Sequence, residues 1–172
     1  MEEKKFTTKI GEKDMFRFQM YHTYMGVSGV LYGLLVVLAL ADLIGNFNTT
    51  SAGIKVLCVF LILWPIVISP VSLWFRSKKQ VAAAELFQNP IDLEIKEEGV
   101  ELTQGENGGL IEWKDITKVV VLKKLAIFYM GKVRAHLLPL DQLSSEDAAD
   151  VAERLKKYAV GVKLLPKKKM RR

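Results

Sequence analysis

Few side chains in this sequence are of the kind that does covalent chemistry, and those few are scattered. There are two histidines, His22 and His136, and one cysteine, Cys58. A metal centre or an acid–base pair needs His, Cys or carboxylates grouped at ligand spacing, and neither histidine has such neighbours. His22 reads instead as an interfacial residue beside Tyr21 and Tyr24. Cys58 has no partner for an internal disulfide and lies in an apolar run, where a small apolar residue would serve equally. The densest acidic group is Glu94, Glu97, Glu98 and Glu101. Its spacing fixes no ligand set for a hard cation, so a solvated strand face and turn is the simpler reading. Gly105 to Gly109 lacks the Lys-Ser/Thr and the helix that a phosphate-binding loop requires. No catalytic, cofactor or metal residue is assigned, and the chain reads as a non-enzyme without a cofactor.

The elements that carry these residues begin with two apolar runs. Ile54 to Phe75 has Lys55 near its start and no other charge. As a helix it would be roughly 33 Å long, enough to cross a hydrocarbon core of about 30 Å. Gly26 to Ile44 carries only Asp42 as a charge and is about long enough to do the same. An uncharged linker, Gly45 to Gly53, joins them. It contains a weak glycosylation sequon at Asn48-Thr49-Thr50. The pattern predicts a two-helix transmembrane hairpin, with the first span retained rather than cleaved as a signal peptide. Asp42 and Lys55 fall at similar depth and are expected to form an intramembrane polar pair or to snorkel to the interface rather than to build an ion or proton site, since an unpaired charge there is costly. Gly29 and Gly33 make a GxxxG step suited to helix packing, with the second span as the expected partner and a second copy of the chain as the alternative. Pro65 and Pro70 predict a kink in the second span.

Before the first span, EKDMFRFQMYHTY has acidic residues at its start and no breaker until Gly26. A helix is expected from Glu12 running straight into the span. Lys4, Lys5, Lys9, Lys13 and Arg17 precede the spans and Arg76, Lys78 and Lys79 follow them, while the linker has none. The positive-inside rule then places both termini in the cytoplasm.

The remainder reads as strands. Lys5 to Ile10 alternates like a short strand. After Asn89-Pro90 come six further strand patterns separated by close turn signals, the last ended by Pro139. A final helix is signalled by Ser144 as N-cap, early Glu146, Asp147 and Asp150, late Lys156 and Lys157, and an apolar face of Ala148, Val151, Ala152, Leu155 and Tyr158. Lys163 to Arg172 reads as a basic tail too polar to fold alone. The predicted division is residues 1–11, a strand joining the cytosolic sheet; 12–90, the hairpin with spans near 26–44 and 54–75; 91–162, an antiparallel domain; and 163–172, the tail. The fold class is an α+β membrane protein. Its hairpin carries a bent, pleckstrin-homology-like (PH-like) antiparallel domain closed by a C-terminal amphipathic helix.

The two-span start, Trp113-Lys114-Asp115-Ile116, the strands after it and Leu138-Pro139-Leu140-Asp141-Gln142-Leu143 resemble the bacterial YcxB-like family. The resemblance implies an inner-membrane protein with a cytosolic PH-like domain, and it brings no catalytic residues. In this reading Trp113 and Ile116 pack inward while Lys114 and Asp115 face solvent.

Function is then a question of partners. There are 25 Lys and Arg against 19 Asp and Glu, a formal charge of +6. In a membrane protein that surplus points to topology and anionic lipid before nucleic acid, which is not expected here. One expectation is a membrane-anchored interaction module that binds a protein partner at an open sheet edge or in the groove against its helix, with a homo-oligomer as a further possible partner. The alternative is an anionic-lipid sensor with contacts at Arg76, Lys78, Lys79, Lys123, Lys124, Lys132, Arg134, Lys167, Lys168 and Lys169. A small oligomeric transport or channel component is a third reading, with Asp42 and Lys55 as its polar residues.

Overall fold

The computed structural model describes residues 4–131 and 134–165. The chain forms two compact units: Met1–Asp14 with Val81–Arg172, and Met15–Gln80.

In the first unit the period-two patterns become strands. β1 (Lys5–Thr8), β2 (Ile91–Ile95), β3 (Gly99–Gln104) and β4 (Asn107–Glu112) form one antiparallel sheet in that order. The N-terminal strand therefore does join the sheet, with Phe6 opposite Leu93. β5 (Lys118–Val121), β6 (Leu125–Met130), β7 (Arg134–Pro139) and β8 (Lys163–Leu165) form a second sheet in the order β7-β6-β5-β8. The single bent antiparallel sheet expected from the turn signals is thus two sheets, and one of their pairs, β5 with β8, is parallel. The expected tail is shorter by the same strand. Leu164 lies beside Val119 and Leu165 beside Val120. Two leucines are apolar enough to leave water, and they give the backbone groups of β5 a partner that an open edge would lack. Gly161, at φ +83°, turns the chain into that strand.

The inward faces share one core: Phe6, Leu93, Ile95, Val100, Val119, Phe128 and Leu138 meet Val151 and Leu155 of the last helix, α4 (Ser145–Tyr158). Its start is capped as its sequence predicts, with the Ser144 hydroxyl accepting from the Asp147 N–H at 3.0 Å. The Trp113–Asp115 turn buries Ile116, and the Trp113 indole donates to the Lys96 carbonyl at 3.1 Å. Gly99 is fixed by close approach: a Cβ there would lie 2.0 Å from the Ile111 carbonyl oxygen.

The second unit is helical. α1 (Glu12–Tyr24) does not run into α2 (Val27–Gly45). The chain breaks at Met25-Gly26, where Gly26 is extended at φ −99°, ψ −169°. This corrects the continuous helix expected from the sequence. The break lets the Tyr24 carbonyl back onto Gly29, where a Cβ would meet that oxygen at 1.9 Å. α3 runs over Ala52–Ala83 and widens to a π-turn at Trp64–Ile68. The kink expected from the prolines takes this form, a recognised response of a helix under strain. The Ser69 N–H bonds to the Trp64 carbonyl five residues back, and Pro70 has no N–H to offer the Pro65 carbonyl. That orphaned oxygen accepts from the Tyr24 hydroxyl at 2.5 Å. Both α2, of 19 residues, and α3, of 32, are long and apolar enough to cross a membrane.

Two outcomes follow for the sheet unit. Gly99→Val should destabilise it by about 1–3 kcal/mol, because the clash is with backbone and cannot relax by a rotamer change. The urea midpoint of the full-length protein in detergent should fall accordingly. The second concerns Asp147, whose carboxyl is held below its ordinary range by the Lys4 ammonium at 2.6 Å and then by the Ser144 hydroxyl. An acid whose pKa falls on folding adds stability above its unfolded pKa of about 3.9, and that stability is lost as pH drops through the lower folded value. Wild type should therefore exceed Asp147→Asn in stability near pH 7, and the two urea midpoints should converge as pH falls below about 4.

Candidate functional site

Two carboxylates of the acidic group are occupied by a lysine. Lys96 bridges Glu94 at 3.6 Å and Glu101 at 2.6 Å, which lowers the Glu101 pKa. Glu94 is buried rather than solvated as the alternation suggested, with the Lys96 ammonium beside its carboxylate. Among the described residues no three His, Cys, Asp or Glu side chains are grouped to hold a metal.

The sequence-predicted polar pair is not a pair. Asp42 accepts from the Asn46 side chain at 3.1 Å and the Thr50 hydroxyl at 3.3 Å, and the Cys58 thiol lies 3.8 Å away. The Lys55 ammonium sits over the Phe47 ring, 4.2 Å from its centre. The linker folds back so that neutral donors satisfy the carboxylate, while an aromatic face takes the cation. The GxxxG step is divided too. Gly29 is used by the Tyr24 carbonyl, whereas a Cβ added at Gly33 would meet no atom within 4 Å, so the second span does not pack there.

The basic residues fall into three groups. Arg76, Lys78 and Lys79 lie on the last turns of α3, exposed, with Lys78 also 5.4 Å from the Trp74 ring centre. Lys123 and Lys124 are exposed in the β5–β6 turn. Arg134 begins β7 at the opposite end of β6, roughly 20 Å away at strand spacing, so the hairpin lysines and Arg134 are not one patch. The pairing supplies Arg134 with other company. Lys118 of β5 stands directly beside Lys163 of β8, at the same end of the sheet as Arg134. Sequence reasoning misses this group because Lys163 opens a stretch that is basic by composition; the Leu164-Leu165 dipeptide after it is the available signal. Lys132, Lys167, Lys168 and Lys169 lie outside the described residues.

The helical unit also contains a cleft of about 260 Å³, lined by Thr23, Tyr32, Trp64, Ile68, Ser69, Ser72, Leu73 and Arg76. Two irregularities lie beside it. The break after α1 follows Thr23, and the π-turn of α3 supplies Trp64 and Ile68. Ser69, Ser72 and Arg76 follow one another at helical spacing on α3, so they share a face. Arg76 has no acidic partner among the described residues, and no Asp or Glu occurs between Asp42 and Glu85.

Residues 95–153 match the family model for YcxB-like protein. The matched segment runs from the end of β2 into α4, and it contains both of the motifs, Trp113–Ile116 and Leu138–Leu143, on which the resemblance rests. It includes none of the helical unit. No curated protein matches the chain.

The separation of Asp42 from Lys55 has a measurable consequence. A double-mutant cycle of Asp42→Asn and Lys55→Met, read by thermal unfolding in detergent, should give a coupling energy below about 0.5 kcal/mol, as for residues that share no contact.

Proposed function

We propose that this protein is a membrane-anchored module of the bacterial inner membrane that recognises anionic lipid at the cytoplasmic surface. In this reading α2 and α3 cross the bilayer, both termini are cytoplasmic, and the sheet unit is a PH-like domain on the cytoplasmic side. The observation that carries it is the end of α3. Twenty residues of helix rise about 30 Å, so a span that starts at Ala52 leaves the hydrocarbon near Ser72. Arg76, Lys78 and Lys79 then fall at headgroup level, on a stretch of chain without acidic residues. The basic end of the second sheet, Arg134, Lys118 and Lys163, adds a second surface of the same sign.

A protein partner is the second reading. It is favoured by β4, which among the described residues pairs only with β3 and presents Gly108 and Gly109 along an exposed strand. Such an edge suits strand addition by an extended peptide.

The two readings differ in their response to salt and lipid. Full-length protein is reconstituted in nanodiscs of equal anionic and zwitterionic phospholipid, extracted in mild detergent, and the lipid recovered with it is measured by mass spectrometry. Anionic lipid should be enriched. Substituting Arg76, Lys78 and Lys79 together by Gln should reduce that enrichment by roughly fivefold per residue at most, since each basic group near an anionic surface is worth about 1 kcal/mol. Equal recovery of both lipids by wild type and variant would overturn the lipid reading. A salt-resistant protein recovered instead would favour the second.

A further inference from the structure

The cleft in the helical unit is more specific than a charged surface. Ser69 is 8% exposed and lines the cleft, yet its hydroxyl makes no hydrogen bond among the described residues. Two turns later Ser77 is fully buried and donates to the Leu73 carbonyl at 2.8 Å, as serines in apolar helices commonly do. The contrast is informative, because the Ser69 hydroxyl forgoes that back-bond on the side where the cleft lies. Ser72 and Thr23 also reach the cleft without a side-chain hydrogen bond among the described residues. Arg76 stands one turn beyond Ser72 on the same face of the helix and lines the same cleft. Three hydroxyls and one cation therefore line the cleft, together with Tyr32, Trp64, Ile68 and Leu73, which supply apolar walls.

We infer that this cleft holds one anionic glycerophospholipid by its neck, with the phosphate on Arg76 and the hydroxyls and the first part of an acyl chain along Tyr32, Trp64 and Ile68. Arginine presents planar paired donors that match phosphate oxygens, and hydroxyls complete such a site. The volume agrees with partial enclosure. Pockets that take up a whole small molecule run to about 300–1,000 Å³, so this one admits the neck and leaves the rest of the chains in the bilayer. The depth agrees as well, because Arg76 lies at headgroup level and Trp64 about 18 Å below it along the helix. The inference rests on the lipid reading above, and it adds a single stoichiometric site.

The test separates the two. Full-length protein in detergent is washed at 1 M salt, where the Debye length is about 3 Å and surface attraction is largely screened. It is then incubated with dioleoyl phosphatidylglycerol, with phosphatidylcholine, or with inorganic phosphate, and analysed by native mass spectrometry. Wild type should retain one phosphatidylglycerol per chain at high salt and at least tenfold less phosphatidylcholine. Arg76→Gln and the mild double variant Ser69→Ala/Ser72→Ala should each lower retention about tenfold, and Ser72→Phe should abolish it by filling the cleft. Lys78→Gln/Lys79→Gln should leave it unchanged while weakening low-salt enrichment. The proposal is overturned if no lipid survives the wash, if retention ignores Arg76 and Ser72, or if inorganic phosphate binds with the same dependence while lipid does not. If enrichment of anionic lipid persists at low salt in any of these cases, the surface reading stands without the site; if it is absent too, both fail.

Discussion

The structure depends on one antiparallel strand pair. β1 and β2 are separated in sequence by the whole helical unit, yet Lys5–Thr8 lies against Ile91–Glu94 in continuous register. Closing a flexible insertion of about eighty residues would cost of the order of 4 kcal/mol in chain entropy beyond the constant for any loop. The insertion is not flexible. Its two ends meet within the helical unit itself: the Gln19 and Gln80 side chains share a hydrogen bond of 3.0 Å, and the Phe16 and Trp74 rings stand edge to face at 5.3 Å. Antiparallel helices return the chain to where it left, so most of the closure entropy is already offset before the strands pair. The sheet unit then secures the entry. The Gln142 amide both accepts from the Lys9 N–H at 2.9 Å and donates to the Lys9 carbonyl at 2.7 Å, continuing the line of β1 with a side chain in place of a strand. Lys4 holds the other end to Asp147.

Inside the helical unit the governing constraint is the satisfaction of backbone groups. Apolar surroundings offer no hydrogen bonds, so each carbonyl released by a proline needs a replacement donor. Pro65 and Pro70 make that demand five residues apart, the π-turn redistributes it, and the Tyr24 hydroxyl meets what remains. Tyr24 can reach Pro65 because α1 ends there, and the break that ends α1 exists because Gly26 and Gly29 tolerate it. The cleft lies beside these two departures from regular helix. Two straight, uniform helices would close side chain on side chain. Here the break follows Thr23 and the π-turn carries Trp64 and Ile68, and these line the cleft together with Ser69 and Ser72 of α3.

Much of this is legible in the sequence, and the limits have physical causes. Alternation finds β1 and its place in the sheet, because one buried face imposes period two even on four residues. Ser144 finds the start of α4, because an unsatisfied N–H demands a side-chain oxygen at one position only. The short motifs around Trp113 and Leu138 point to the family whose model matches that segment. The failures share a different character. Gly29 looks like a surface for another helix, but a glycine serves any close approach, and here the intruder is a carbonyl from the preceding turn. Asp42 and Lys55 look paired by depth and sign, but charge can also be satisfied by neutral donors and by an aromatic ring, and those come from a linker with no periodicity to read. Lys163 reads as tail from its basic neighbours, although the two leucines beside it decide its fate.

The same distinction bears on what the surplus charge is for. Several acidic groups of the sheet unit are used by the fold: Asp147 and Asp150 by Lys4 and Arg154, Glu94 and Glu101 by Lys96, Glu112 by Lys114. Lys4 ties the first residues to the last helix and Lys96 reaches across to β3, while the pairs at Lys114 and Arg154 are local. Arg76, Lys79, Lys123, Lys124, Lys118 and Lys163 have no such acidic partner among the described residues. Solubility alone would scatter them with interspersed acids, as mixed surfaces usually are. Instead Arg76, Lys78 and Lys79 close the apolar helix within four residues, and Lys118 and Lys163 are neighbours across a strand pair, where like charges repel. Part of that repulsion is met inside the fold, because the Lys118 ammonium lies over the Tyr129 ring, 4.2 Å from its centre. At Arg76 and Lys79, which have no acidic partner among the described residues, the proposed headgroup contact would supply the counter-charge that the fold leaves out.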